Sequence, residues 1–148
     1  MISQLVTSFI ASSGFGIIFN VPKNAVLKCG FVGMIGWLLY FYLVEQKVDA
    51  AVASFFASFA VGIISHIFAK IYKNPVIIFI VGGIIPLVPG GLAYDAMRNL
   101  VGNENMMAVE LSVRVLMIAG AIALGVVFSE VFNQLYRDLV YKLKLKKS

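Results

Sequence analysis

The chain has 148 residues, of which 61% are hydrophobic and only 13% charged, with a mean hydropathy of +0.95. Charged residues make up about 25% of ordinary soluble domains, so this composition excludes a water-soluble enzyme, a disordered chain and a disulfide scaffold. The single Cys29 and single His66 exclude an intrachain disulfide and a Cys- or His-based metal cluster, and the net charge of +5 falls between apolar runs and in a tail, where its partner is the anionic cytoplasmic leaflet rather than nucleic acid.

An α-helix needs about 20 apolar residues to cross a bilayer. The runs predict an all-α membrane protein in which residues 1–148 form a single transmembrane domain of five helices. The first span, 2–21, has no charged side chain. Its opening Met1-Ile2-Ser3-Gln4 lacks the positive start of a cleaved signal peptide, so it is read as a retained helix. Asn20 and Asn24 flank Pro22 at its end, either terminating the helix or meeting solute. The second span, 25–44, carries only Lys28, near its start. The third, 50–69, is uncharged apart from a proton on His66. The fourth, 75–97, is broken by Pro86 and Pro89. The fifth, 106–131, holds Glu110 and Arg114 in its first turns and Glu130 near its end. A basic tail, 136–148, alternates lysines with apolar residues and anchors at the cytoplasmic surface.

Lysine and arginine set the orientation. With five spans one side receives Lys23, Lys28, Lys70, Lys73, Arg137, Lys142, Lys144, Lys146 and Lys147, and the other only Lys47, Arg98 and, leaning that way, Arg114. The N-terminus is therefore expected outside and the C-terminus in the cytoplasm. A re-entrant fourth segment would leave four spans and put the lysine tail outside, so a full crossing with an internal break is the better reading.

Small residues let helix backbones approach in lipid, where no hydrophobic drive brings helices together. Ser8, Ser12 and Gly16 form one such stripe, Gly30, Gly33 and Gly36 another, and Ala50, Ser54, Ser58, Gly62 and His66 a third. These faces suggest that the chain completes itself against a second copy or another subunit.

The most informative segment runs from 81 to 91 and holds Pro86, Leu87, Val88, Pro89, Gly90 and Gly91. Proline removes a helical hydrogen bond and clashes with the preceding turn, so two prolines followed by two glycines predict local unwinding. Unwound backbone inside a bilayer is tolerated only where protein buries it or it lines a wet cavity. Transporters use such broken helices for binding, the positive end of the second half-helix facing an anionic group. Thirteen residues of helix from Pro75 to Val88 span about 20 Å, placing the break beyond the midplane, towards the outside. An ordinary kink is the simpler alternative.

Asp95 and Arg98 lie one turn apart past the break and could pair, cap the half-helix or face solute. Glu110 and Arg114 stand at i, i+4, either as a helical ion pair with Arg114 reaching the outer interface or as a charged lining at the mouth of a pathway. His66 reads as a helix–helix hydrogen bond or, less simply, a proton carrier. No phosphate-cradling loop, metal-spaced cluster or nucleophile–base–acid set occurs, so neither an enzyme nor a cofactor is expected.

Two of these stretches, residues 14–22 ending in Asn20-Val21-Pro22 and residues 81–91 with their Pro-Leu-Val-Pro-Gly core, resemble the threonine/serine exporter family in its small-subunit form. Length and span count agree over nearly the whole chain. The resemblance implies a half-transporter that works with a larger membrane subunit supplying the first half, exporting threonine and serine, or in some split systems dicarboxylates such as succinate, driven by the proton gradient. It assigns no proton carrier. The expectation is a transport subunit in which residues 86–91 hold a small carboxylate solute, while Asp95, Arg98, Glu110 and Arg114 line the outer path. The competing readings are a structural or assembly subunit that touches no solute, and a homo-oligomeric channel.

Overall fold

The structure, a computed structural model, describes residues 2–145; Lys146, Lys147 and Ser148 of the expected tail lie outside the described residues. Six α-helices account for most of them: α1 (Ile2–Ile18), α2 (Lys23–Glu45), α3 (Ala50–Tyr72), α4 (Val76–Ile84), α5 (Gly90–Val101) and α6 (Asn105–Leu145), with a 3-10 turn (Ile85–Leu87) between α4 and α5. No strand occurs among the described residues.

The helix ends follow from local chemistry. Asn20 (φ 55°), Lys47 (φ 62°), Lys73 (φ 52°) and Asn103 (φ 61°) take the left-handed backbone, each just past a helix. The N–H of Asn20 donates to the Ile17 carbonyl at 3.0 Å and that of Val21 to Gly16 at 2.9 Å, the paired bonds of a Schellman end. Asparagine tolerates this conformation better than most residues, so Asn20 terminates α1. Lys47 and Asn103 close α2 and α5 with the same pair of bonds. Asp49 then caps α3, its Oδ1 accepting from the Ala51 N–H at 2.9 Å.

Three helices, α2, α3 and α6, are each long and apolar enough to cross a membrane. The segment Val76–Leu87 and α5 meet that standard together, bent by 53° at the break. Helix α1 is apolar but only 17 residues long, about 25 Å at 1.5 Å per residue, against a hydrocarbon core of about 30 Å. The chain is thus a helical membrane protein in which, among the described residues, three helices are able to cross by length and composition, or four with the bent pair. Helix α6, at 41 residues, reaches roughly 60 Å and outruns any bilayer. The residues expected as a separate tail continue it to Leu145.

The most extensive helix–helix contact pairs α3 with α6. Asn133 meets His66 across 67 positions of sequence. The same offset sets Gly125 against Ser58 and Gly62 against Ser129, where a β-carbon on either glycine would collide with the facing serine. A constant offset means that the two helices run parallel. Both present a small residue every fourth position, the spacing that lets backbones close in lipid. Phenylalanines flank the seam, Phe55 on Phe128 with ring centres 5.8 Å apart and Phe59 on Phe132 at 6.2 Å.

The other small-residue stripes are also filled within the chain. Gly30 and Gly33 of α2 face Ser13 and Ser12 of α1, Gly36 faces Val61 of α3, and Gly82 and Gly83 of α4 face Cys29 and Val32 of α2. These faces were expected to await a second copy or another subunit. They are closed intramolecularly, so any partner must use other surfaces. Helix α2 is the hub, touching α1, α3, α4 and the 3-10 turn, whereas α5 leans on α6.

Candidate functional site

Helix α4 stops at Ile84 because Pro86 cannot donate to the preceding turn. One 3-10 turn follows, Val88 is extended (φ −63°, ψ 128°), and α5 starts at Gly90 with Pro89 as its N-cap. Pro89 offers no side-chain acceptor. The Gly90 N–H turns back to the Val88 carbonyl at 2.8 Å and Ala93 begins the helical ladder on Pro89 at 3.0 Å. The N–H groups of Gly91 and Leu92 are left without a backbone acceptor among those described, as the first turn of a helix leaves its donors.

The break begins at the middle of the bundle. Gly83 packs on Val61, the central residue of α3, and a β-carbon on Gly33, one residue short of the centre of α2, would lie 3.3 Å from the Pro86 ring. The thirteen-residue count from Pro75 had placed the break nearer the outside. That count ends at Val88, the far side of the interruption, whereas unwinding starts at Ile85.

Pro86 forms part of the wall of a cavity of about 280 Å3, whose other walls are Ser3, Gln4, Thr7, Ser8 and Ala11 of α1 and Trp37 of α2. Among the described residues no charged side chain lines it. The Thr7 hydroxyl donates to the Ser3 carbonyl at 2.8 Å and the Ser8 hydroxyl to Leu5 at 2.9 Å, so both oxygens keep lone pairs as acceptors. Trp37 and Gln4, which carry an indole N–H and an amide, border the same cavity. Trp37 Nε1 is buried without a hydrogen-bond partner in the chain, as are the hydroxyls of Ser12 and Ser13 just behind. A buried polar group left unpaired costs about 1–3 kcal/mol, so the α1–α2 contact behind the cavity is short of polar partners.

The structure sorts the expected site residues. Pro86 lines the cavity, Leu87 is buried in the core with Val32, Ala57 and Val61, and Val88, Gly90 and Gly91 are exposed. Nothing lies within 4 Å of a β-carbon on Gly90 or Gly91, so space does not demand glycine there. Asp95 and Arg98 are exposed on α5 and make no ion pair with each other among the described residues. Arg114 Nη2 pairs with Glu110 Oε1 at 3.2 Å, both well exposed. Arg114 also borders a second cavity of about 300 Å3 with Asp49, Ala50, Leu92 and Met117. Asn20 belongs to the end of α1. His66 is buried against α6, its Nδ1 3.2 Å from Asn133 Nδ2 and its Nε2 3.0 Å from Glu130 Oε2.

Sequence reasoning missed Gln4, Thr7, Trp37, Glu130 and Asn133 as members of these constellations. A signal for the first group was present. Ser3 with Thr7 and Gln4 with Ser8 each stand at i, i+4, which puts four polar side chains on adjacent rows of an otherwise apolar helix. Among the described residues, no group of three or more His, Cys, Asp or Glu side chains is placed to hold a metal ion.

Fold and site together define a multi-pass helical membrane protein with a broken helix beside a small, largely apolar cavity bordered by hydroxyl and amide side chains of α1. The match to the family described as "Threonine/Serine exporter, ThrE" extends over residues 4–132, and the chain belongs to that family. The family is one of transporters, not of enzymes. An uncharacterized protein of Haemophilus influenzae is 29% identical over 102 residues, which are 68% of this chain and 34% of that protein. The matched segment is thus about a third of that relative's length. No solved structure matches the chain.

Proposed function

We propose that the chain is the second membrane half of a two-part exporter and that the cavity between α1, Trp37 and Pro86 takes the transported solute. The observation that carries this reading is the lining of that cavity beside a mid-bundle break. Donors from Trp37 and Gln4 suit a carboxylate, while the back-bonded hydroxyls of Thr7 and Ser8 offer lone pairs to an ammonium group. Among the described residues no lysine or arginine lines the cavity, which favours a zwitterionic amino acid such as threonine or serine over a dicarboxylate with its two negative charges. A volume of about 280 Å3 sits at the small end of ligand sites and fits a small solute.

In this reading α1 also spans, tilted little, giving five crossings with the N-terminus outside and the C-terminus in the cytoplasm, as the lysine and arginine distribution requires. The donors of Gly91 and Leu92 receive the solute carboxylate on its way past the break, and Arg114 and Glu110, with Asp95 and Arg98, form the outer mouth. Helix α1, whose Gln4 and Thr7 are exposed, is the side on which the larger subunit completes the cavity wall. Anionic lipids at the inner face hold the lysine-bearing end of α6.

The test is export of labelled threonine and labelled succinate from cells lacking the native system, with this chain expressed alone and then with the larger membrane half. Threonine export only in the presence of the partner is expected. Export by the chain alone would overturn the two-part arrangement, and succinate moving in place of threonine would overturn the zwitterion assignment.

A further inference from the structure

A second cavity lies where the α3–α6 seam ends, on the side that the lysine and arginine distribution puts outside. The offset of 67 residues between those helices sets Ala50 and Ala51 level with Met117 and Ile118, and all four line it. Its volume of about 300 Å3 is at the small end of ligand sites. Among the described residues the cavity at Trp37 has no charged lining, whereas this one is bordered by one charge of each sign, Asp49 and Arg114.

Each of these charges is held by its own helix and not by the other. Asp49 Oδ1 accepts the Ala51 N–H at 2.9 Å as the cap of α3. Arg114 Nη2 donates to Glu110 Oε1 at 3.2 Å, one turn back on α6. Among the described residues no ion pair joins Asp49 to Arg114. A carboxylate accepts at both oxygens and a guanidinium carries five N–H donors, so each keeps capacity beyond its one bond. An acceptor and a donor fork fixed on the walls of one small cavity suit a molecule with an ammonium at one end and a carboxylate at the other. With Glu110 the three side chains sum to one negative charge, which repels a dianion, while Arg114 repels a simple cation.

We infer that Asp49 and Arg114 form a second binding site for a zwitterionic amino acid, the ammonium at Asp49 and the carboxylate at Arg114, and that solute leaves outward from it. The exit role rests on the transport reading above; the binding site does not. The interruption joins the two cavities, with Pro86 in the wall of the first and Leu92 in the wall of the second. Trp37 of the first and Ala50, Ala51 and Leu92 of the second pack on one hydrophobic cluster, so the cavities are neighbours across it. Asp49 and Arg114 are exposed, so water and salt screen both charges and the site holds its guest loosely, as release requires.

Met117→Cys puts a thiol on an exposed part of the wall, while the natural Cys29 is buried. In spheroplasts carrying the assembled exporter, a membrane-impermeant maleimide added outside is expected to label the Met117→Cys chain and not the wild-type chain. Outside threonine should protect the thiol; succinate should not, nor should threonine methyl ester, which lacks the carboxylate charge. Asp49→Asn keeps a capping oxygen for α3, and Arg114→Gln removes the guanidinium. Each, combined with Met117→Cys, should raise the half-protecting threonine concentration about fivefold or more. No labelling from outside, no protection by threonine, or equal protection in the charge variants would overturn the site. In solute-for-solute exchange by vesicles, Asp49→Asn should raise the half-saturating concentration of outside threonine more than that of inside threonine. Equal shifts on both faces would overturn the exit role. Protection needs no transport, so a complex that is protected but exports nothing would refute the transport reading and leave the binding site standing.

Discussion

The α3–α6 seam and the α1–α2 face around the break use the same small residues to opposite ends. In the seam every buried hydroxyl is turned back to its own helix: Ser54 donates to Ala50, Ser58 to Phe55, Ser65 to Val61 and Ser129 to Val126, at 2.6 to 3.0 Å. No hydroxyl proton of those serines is left over, and the glycines opposite Ser58 and Ser129 have no room for a β-carbon. Around the break, Ser12, Ser13 and Trp37 keep unpaired polar atoms, and Trp37 borders a cavity. A sealed region fixes where helices stand; an unsealed one can exchange partners with a solute. The seam becomes unsealed only at its inner end, where His66 Nε2 lacks an aligned bond.

The sharpest way to break this contrast is to overfill the seam. Gly125→Leu drives a side chain into Ser58 and the backbone of Phe55 and Phe59. Overpacking of a tight core costs about 1–3 kcal/mol or more, and here the obstacle is backbone that cannot swing aside. We expect a large fall in melting temperature and little folded protein, read by thermal-shift size-exclusion chromatography in detergent. Gly120→Leu on the same helix, with nothing within 4 Å, should melt like wild type. Similar behaviour of the two variants would deny the seam its role.

The next effect is on function alone. Replacing Pro86 and Pro89 together by alanine lets α4 run on through the break. Export should fall at least tenfold while the amount of inserted protein holds, as judged by quantitative membrane blotting. Unchanged export would make the interruption an ordinary kink. A smaller effect is expected from Trp37→Phe, which removes one donor. One hydrogen bond is worth about 0.5–1.5 kcal/mol, so the KM for threonine should rise roughly two- to tenfold with little change in the maximal rate. The smallest effect concerns the outer ion pair. Glu110 and Arg114 are both exposed, and such i, i+4 pairs contribute about 0.3–0.5 kcal/mol, so Glu110→Gln should shift the melting temperature barely measurably.

Much of the fold was legible because the physics is local. Apolar runs, Asn20 before Pro22, Asp49 ahead of α3 and the two prolines of the break each dictate a boundary within a few residues. The pairing of helices was not legible, since several small-residue stripes look alike in one dimension, and stripes read as open faces close on one another. The row Ala121, Gly125 and Ser129 would have nominated α6 as the mate of α3, and with that register fixed, Glu130 and Asn133 fall beside His66. The site was half legible. Pro86 announced the break, but the cavity draws on Gln4, Thr7 and Trp37, which come together only when α1 and α2 fold against it. Asp95 and Arg98, prominent in sequence as charges near a break, are carried by α5 to the surface.

The central claim is that the cavity beside Pro86 is where solute binds, and Trp37 offers a direct view of it as the only tryptophan in the chain. Fluorescence of Trp37 should be followed in the assembled exporter, with the partner's tryptophans replaced by phenylalanine, during titration with threonine, serine and succinate. A saturable change with threonine and serine, absent with succinate and removed by Gln4→Leu, is the predicted result. An exporter that moves threonine while Trp37 stays silent to it would contradict the account and place the solute elsewhere.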